Sequence, residues 1–243
     1  MTTSLSGTFG FQSVSPEERE TRIRAVFNAV APRYDLMNDV MSFGIHRLWK
    51  REMVKVARPG AGQLIVDLAG GTGDVARLLA APDRRVIVCD PSPEMMAVGE
   101  RRCRGLGIQF LEGKAEAMPF ETGSVDTLTI AFGLRNATSP EAALAEIFRV
   151  LKPGGWFVCL EFSRPWALIR PFYDAYSFHV IPRLGAWIAR EPAAYAYLVE
   201  SIRRFPDQRE MAGLMTAAGF GRVGWRNLSA GIACLHSGVK PAS

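Results

Sequence analysis

An α/β fold with a doubly wound, seven-stranded and mostly parallel sheet is what this sequence predicts, and three observations carry it. Short apolar runs alternate with amphipathic, helix-like segments from residue 63 to residue 162. The first run, Leu64-Ile65-Val66-Asp67-Leu68-Ala69, opens directly into the glycine cluster Gly70-Gly71-Thr72-Gly73-Asp74 and a helix-like segment. The second, Arg85-Val86-Ile87-Val88-Cys89-Asp90, ends in an acid 17 positions after Gly73, as in doubly wound nucleotide-binding sheets.

Taken in chain order, residues 1–14 read as a flexible lead-in, with neither the basic nor the apolar region of a secretory signal. Ser15-Pro16-Glu17-Glu18 is a capping box with proline at the first helical position. Ile23, Val26, Phe27 and Val30 make one apolar stripe of the helix that Pro32 ends. The segment 33–39 is turn-rich, and a second amphipathic helix is expected from about Ser42 to Ala57, with Trp49, Met53 and Val56 inward. Strands are expected at 63–69, 85–90, 108–111, 125–132 and 155–162, each a short apolar or β-branched run between turn residues. Ser92 and Ser139, each followed by Pro-Glu, cap the helices after the second and fourth strands, and Lys152-Pro153-Gly154-Gly155 closes the latter. After Arg164 the alternation gives way to helical, aromatic-rich sequence as far as Arg204. Asp207-Gln208-Arg209-Glu210 is another capping box, and the runs 222–228 and 231–236 form an antiparallel pair at the sheet edge. The whole, 1–243, reads as one domain: N-terminal helices over 15–58, a ligand-binding core over 63–162, a helical lid over 164–204, and a terminal helix and strand pair over 207–238.

A hydrophobic fraction of 48% and a charged fraction of 22% are those of an ordinary soluble globule. No run reaches the roughly 18 apolar residues that a membrane-spanning helix needs. Cys89, Cys103, Cys159 and Cys234 lie far apart and form no C-x-x-C pair, so neither disulfides nor a metal centre is expected, and a cytoplasmic location is. Net charge is +5 and unevenly placed: residues 164–204 hold six arginines against Asp174, Glu191 and Glu200. Arginines mixed with Trp166, Phe172, Tyr173, Phe178 and Trp187 suit an anionic membrane surface or, on charge alone, nucleic acid. A solvated helix face over a core face is the plainer alternative.

The glycine cluster poses the ligand question. Gly71-Thr72-Gly73-Asp74-Val75-Ala76 fits the relaxed G-x-G-x-x-G/A nucleotide fingerprint. Asp67 and Asp74 flank it, and negative charge there repels a pyrophosphate while suiting a cation. S-adenosylmethionine (SAM), with a sulfonium, an ammonium and no phosphate, meets that condition. Asp90 serves an adenosine ribose with SAM or NAD alike, or else caps the helix that follows. An NAD-dependent oxidoreductase is therefore the rival reading, and a turn acid bonded to local amides is the plainer role for Asp67.

Four further stretches narrow the choice: Tyr34-Asp35-Leu36-Met37-Asn38-Asp39, Phe132-Gly133-Leu134-Arg135-Asn136, Tyr173-Asp174-Ala175-Tyr176-Ser177-Phe178-His179 and Gly231-Ile232-Ala233-Cys234-Leu235-His236-Ser237-Gly238. With residues 67–74 they stand in an order and spacing that resembles the ubiquinone/menaquinone biosynthesis C-methyltransferase family, a group of class I SAM-dependent methyltransferases, over roughly residues 9–240. The resemblance implies methyl transfer from SAM to a ring carbon of a polyprenylated benzoquinol or naphthoquinol. It implies that Asp67, Gly70, Thr72, Gly73, Asp90, Lys114, Ala115 and Ala131 form the cofactor site. Lys114 stands where a short Asn or Asp is usual in the family. An ammonium cannot accept a bond from adenine, which leaves that to the backbone or to Glu116. Ala131 stands where many relatives carry Ser. The resemblance further implies a lipophilic quinol substrate, peripheral contact with the inner face of the cytoplasmic membrane or with a quinone-synthesising assembly, room for a homodimer, and no nucleic acid.

A sulfonium is already activated, so the reaction needs no nucleophile, metal or covalent intermediate. The protein must hold the ring carbon about 3–3.5 Å from the methyl and let the neighbouring phenol lose its proton. Arg135 and Asn136 follow the fourth strand, at the end where open α/β sheets bind ligands. Arg135 is expected to stabilise the oxyanion and order a water, unless it pairs with Glu161 at the end of the next strand; Asn136 orients the ring or that water. His179 and Tyr176, in the lid, are the candidate proton acceptors, ahead of His46 and His236. A non-enzymatic scaffold and a methyltransferase of another lipophilic phenol are the remaining alternatives.

Overall fold

In the computed structural model, which describes residues 8–180, 183 and 192–242, a short hairpin of β1 (Thr8–Phe9) and β2 (Gln12–Ser13) precedes three helices. These are α1 (Pro16–Val30), α2 (Tyr34–Ser42) and α3 (Ile45–Ala57). The α/β core follows as β3 (Leu64–Leu68), α4 (Asp74–Leu79), β4 (Arg85–Asp90), α5 (Pro93–Arg102), β5 (Gln109–Glu112), β6 (Val125–Ala131), α6 (Pro140–Val150) and β7 (Leu151–Phe162). Beyond it come α7 (Arg170–Ala175), continued by a π-turn (Tyr176–Val180), then α8 (Pro192–Arg204), α9 (Gln208–Ala217), β8 (Gly221–Leu228) and β9 (Ala233–Val239). The seven-stranded sheet runs β5-β4-β3-β6-β7-β9-β8. The pairs from β5 to β7 are parallel, and β9 is antiparallel to both its neighbours. The expected sheet, with its terminal antiparallel pair, is present.

The N-terminal caps read from sequence are made by the side chains named for them, although Glu18 turns to Arg22 instead of closing a box on Ser15, and α6 ends at an extended Leu151 rather than at a glycine. Ser15, Ser92 and Ser139 each accept from the amide three residues on, and Asp207 with Glu210 completes a reciprocal capping box. The sheet is buried on both faces. On one, Leu128, Ile130 and Phe157 meet Leu144 and Ile147 of α6 and Met211 and Met215 of α9. On the other, Ile65, Val88 and Leu160 meet Trp49 and Met53 of α3 and Leu79 of α4. Each fully buried side chain of this size contributes about 1.5–3 kcal/mol.

Four sequence expectations are corrected. Part of the lead-in is ordered: the β1–β2 hairpin docks on α8, with Phe9 stacked on Tyr197 at 4.4 Å and the Phe11 amide donating to Glu200. Segment 33–39 is mostly helical, because Met37 packs with Val30 and Val199 although Arg33 supplies no side-chain cap. The expected single helix after it is broken at Phe43 and Gly44, both with positive φ. β7 starts at Leu151 rather than 155, since Leu151 pairs with Val125 across a register shift that absorbs Pro153 and Gly154.

The chain leaves β3 for β4 on one side and returns to β6 on the other, so the crevice beyond β3 and β6 is the topological switch point where such sheets bind ligands. The two turns there touch: a Cβ on Gly133 would stand 2.6 Å from the Cβ of Ala69. Neither atom can swing away, because both are fixed by the backbone. Gly133→Ala is expected to lower stability by about 1–3 kcal/mol, read as a fall in the urea midpoint at unchanged slope.

Candidate active site

The turn after β3 is held from beneath by Asp67. Its carboxyl accepts from the Ala76 amide at 3.1 Å and from the Thr129 hydroxyl at 2.9 Å. It is almost fully buried, and burial pushes it up to about 7. The turn-acid role is the one its contacts show, although Asp67 also borders the cavity. Gly70 and Thr72 line that cavity, whereas Gly73 does not. A Cβ on Gly73, at φ +78°, would sit 2.6 Å from the sulfur of Cys103, so this glycine serves the packing of α4.

The sequence argument that two acids make this loop attractive to a cation needs correction. Asp74 accepts from Lys50 at 3.0 Å and from Arg102 at 2.8 Å. Burial raises its affinity for a proton, but those cations outweigh burial and hold Asp74 below the ordinary carboxylate range. Arg102 also binds Asp35, which in turn accepts from the Thr72 hydroxyl at 3.0 Å. Burial and then the like charge of Asp74 push Asp35 up. Two acids and two bases thus interlock over the turn and tie it to α2, α3 and α5.

At the far end of the cavity both oxygens of Asp90 accept backbone amides, Gly71 and Ser92, each at 2.9 Å. A carboxylate has about four acceptor positions, so room for two ribose hydroxyls remains. Burial pushes Asp90 up to about 6. A Cβ on Gly71 would stand 2.9 Å from the Met95 methyl, which leaves the backbone bare toward the cavity. Ala115 and Ala131 are on the wall as expected. Lys114 is there too, with its ammonium 2.6 Å from Glu20 of α1, and Glu116 accepts the Thr138 and Ser139 amides. With Ile23 and Phe27 of α1 opposite, these residues fit an adenosine: apolar walls for a base, a carboxylate for a ribose, and close backbone for the rest. SAM, when bound there, supplies an electrophilic methyl.

A second, largely apolar cavity of ≈ 370 Å³ adjoins the first. Tyr34, Lys50 and Phe132 line both. Arg135 is on its wall and 5% exposed, but paired: its Nη1 donates to Glu161 at 3.1 Å and to the Phe132 carbonyl. The pairing with Glu161 weighed from sequence as the alternative for Arg135 is thus the one present, as a buried ion pair. Burial pushes Glu161 up even against the pull of Arg135. The Nε of Arg135 is buried without a hydrogen-bond partner among the described residues. Asn136 borders the first cavity, its side-chain oxygen accepting from the Tyr197 hydroxyl at 3.0 Å.

Neither expected proton acceptor is placed for that role. His179 is exposed and lines neither cavity. Tyr176 borders the second cavity, but its hydroxyl donates to the Met41 carbonyl at 2.8 Å and burial raises its pKa. His236 is buried against the Gln208 carbonyl, 3.0 Å away. His46, ranked low from sequence, is on the wall of the second cavity.

One residue escaped the sequence reading altogether. Arg19 of α1 is buried, and its guanidinium donates to the carbonyls of Arg135, Asn136 and Ala137 at 3.1, 3.1 and 2.7 Å. It holds the turn that presents the two site residues. Nothing marks it in the sequence, where it is one more charged residue in a capped first turn.

Fold and cavity together define a class I SAM-dependent methyltransferase. The profile of the ubiE/COQ5 methyltransferase family matches residues 15–240, and the chain belongs to that family. It is 65% identical to the ubiquinone/menaquinone biosynthesis C-methyltransferase UbiE of Rubrivivax gelatinosus, over 99% of this chain and 96% of that one. It is 50% identical to the protein of the same description from Acidiphilium cryptum, over 98% of each. A SAM-dependent methyltransferase from Thermotoga maritima, described as a possible histamine N-methyltransferase, shares the fold at TM-score 0.65 and 22% identity, over 90% of this chain and 99% of that one.

The raised pKa of Asp67 has a measurable sign. The folded value of about 7 lies above the ordinary 3.8, so its contribution to stability is fully present below about pH 4 and lost as pH rises through 7. Asp67→Asn keeps an acceptor for Ala76 and removes the titration. Denaturant titrations between pH 4.5 and 7.5 are expected to show a flatter stability profile in the variant, by up to a few kcal/mol at about 1.4 kcal/mol per unit; parallel profiles would show that Asp67 does not titrate there.

Proposed function

We infer that this protein transfers the methyl group of SAM to a ring carbon of a polyprenylated quinol, a C-methylation step of ubiquinone and menaquinone biosynthesis. The observation that carries the reading is the wall shared by the two cavities. Tyr34, Lys50 and Phe132 border both a glycine-lined adenosine site and an apolar chamber bordered by Arg135. A donor in one and a ring in the other then meet where the two cavities adjoin, as a transfer over about 3–3.5 Å requires. The relatives that are 65% and 50% identical, both ubiquinone/menaquinone biosynthesis C-methyltransferases, support the same substrate class.

In this reading the apolar chamber takes the ring and the start of its tail, and excludes water from the transferring methyl. Its ≈ 370 Å³ falls within the range of about 300–1,000 Å³ typical of ligand cavities. Arg135, on the chamber wall, sets its positive charge beside the ring while Glu161 fixes the guanidinium plane. Arg135→Lys keeps the charge but loses the planar fork. Methyl incorporation from labelled SAM, assayed with benzoquinol and naphthoquinol acceptors, is expected to fall at least tenfold in this variant. Near-normal turnover would remove Arg135 from the reaction.

The mouth of the chamber is greasy. Phe43 and Phe172 line it and are each 76% exposed, and Leu168 nearby in sequence is 84% exposed. Exposed Arg170 and Arg183 lie in the same lid segment, whereas Trp187 falls outside the described residues. No helix among the described residues is long and apolar enough to cross a membrane. Contact with an anionic bilayer through this rim gives a prenyl tail a path that avoids water. Binding to anionic vesicles is expected to weaken with salt. At about 1 kcal/mol per basic residue, reversing Arg170 and Arg183 to Glu should cost roughly tenfold or more; indifference to both changes leaves the rim without a membrane role.

A further inference from the structure

We propose that Nε2 of His46 accepts the hydroxyl proton of the quinol during methyl transfer. The proposal rests on the reading of the second cavity as the quinol site. His46 is in the first turn of α3 on the wall of that cavity, buried within a set of contacts that selects one tautomer. The Ser42 hydroxyl has a single proton, and its shortest acceptor is the Asn38 carbonyl at 2.6 Å. Ser42 Oγ, 3.0 Å from His46 Nδ1, is then the acceptor of that contact, which puts the ring hydrogen on Nδ1. Nε2 keeps its lone pair. The nearest carboxylate oxygen, Asp39 Oδ1, stands at 3.6 Å, outside hydrogen-bond range, and both Asp39 oxygens are already taken by Arg47 at 2.6 Å. No hydrogen bond among the described residues uses Nε2.

The surroundings keep the ring neutral until it is needed. Burial and then the Lys50 ammonium lower the pKa of His46 to about 4, with Arg47 adding to the effect and Asp39 and Asp74 opposing it. Tyr173, Tyr176 and Arg135 border the same cavity from the other elements. An imidazole so weakly basic does not ionise a resting phenol, and this fixes the timing of the step. As the ring carbon forms its bond to the methyl and the sulfur–methyl bond breaks, the ring π pair is consumed and the hydroxyl becomes that of a protonated dienone. That O–H is far more acidic than an imidazolium of pKa about 4, so its proton passes downhill to Nε2. Asp39 then faces a cation. The hydrogen on the methylated carbon leaves as a proton to water, the electron pair restores the aromatic ring, and the proton on Nε2 returns to oxygen. The sum is thioether, methylated quinol and one proton.

The test uses the full chain with a short-tailed demethylnaphthoquinol or methoxybenzoquinol. His46→Ala is expected to lower kcat by about 10²–10⁴-fold, with SAM affinity by calorimetry within twofold of the parent. Added imidazole should restore part of the lost kcat, which a packing role does not allow. His46→Gln preserves size and local hydrogen bonding, and should be as inactive as His46→Ala if a proton must be taken. Turnover in either variant within tenfold of the parent overturns the proposal, and so does a loss in His46→Ala that imidazole leaves untouched while SAM still binds. Should His46→Ala lose SAM binding, His46→Gln decides alone by the same tenfold mark. If the parent protein itself fails to methylate any quinol, it is the assignment of the substrate that fails, not the assignment of His46.

Discussion

The carboxyl of Asp67 is the joint on which this site is assembled. It rises from β3, takes an amide from α4 and a hydroxyl from β6, and so ties three elements at the switch point with two bonds. Gly70 follows because nothing larger fits: a Cβ there would lie 2.7 Å from the same carboxyl. With the acid inside the turn, the backbone outside it is left bare toward the cavity. The charge needed to meet a cationic donor has to come from elsewhere. The Asp35, Arg102, Asp74 and Lys50 lattice above the turn is nearly self-neutral, so it orders the loop more than it attracts anything.

Strain is concentrated at the same place. Ala69 and Phe132, which follow β3 and β6, adopt φ of +50° and +57°, a region that residues with a side chain seldom occupy. Each is held by an amide bond to the neighbouring strand, Ala69 to Cys89 and Phe132 to Leu160. The distortion turns the chain sharply off the sheet edge, and in the second case it delivers an aromatic ring to the partition between the cavities. That ring is braced by Phe162 at 4.7 Å and Trp49 at 6.2 Å between centroids. A ring this well supported fixes the place where the two cavities adjoin.

The parts that were legible in the sequence are those whose signals are local. Serine and aspartate caps, the strand–glycine–helix passage and the acid at Asp90 each work through neighbours a few residues away, and each is where the pattern put it. What failed to read depends on distant partners. α2 lacks a side-chain cap and is stabilised by Met37 against Val30 and Val199, so its composition looked like a turn. Which histidine reaches a cavity was illegible for the same reason. His179 sits within a family-like motif yet faces outward, whereas His46 reaches a cavity wall because of how α2 and α3 fold back on each other at Phe43 and Gly44. The Glu161 partner of Arg135, 26 residues away, was foreseen as an alternative because both end neighbouring strands.

Arg19 carries a consequence for how the molecule comes into being. Three of its four carbonyl acceptors are 116 to 118 residues further along the chain; the fourth is Thr8. During synthesis the first helix therefore emerges with a cation most of whose final acceptors have not yet been made. It must stay in water until the central strands have been made and paired, since contacts this distant in sequence are the slow ones to close. The turn that presents Arg135 and Asn136 is thus closed by a helix made 116 to 118 residues before it.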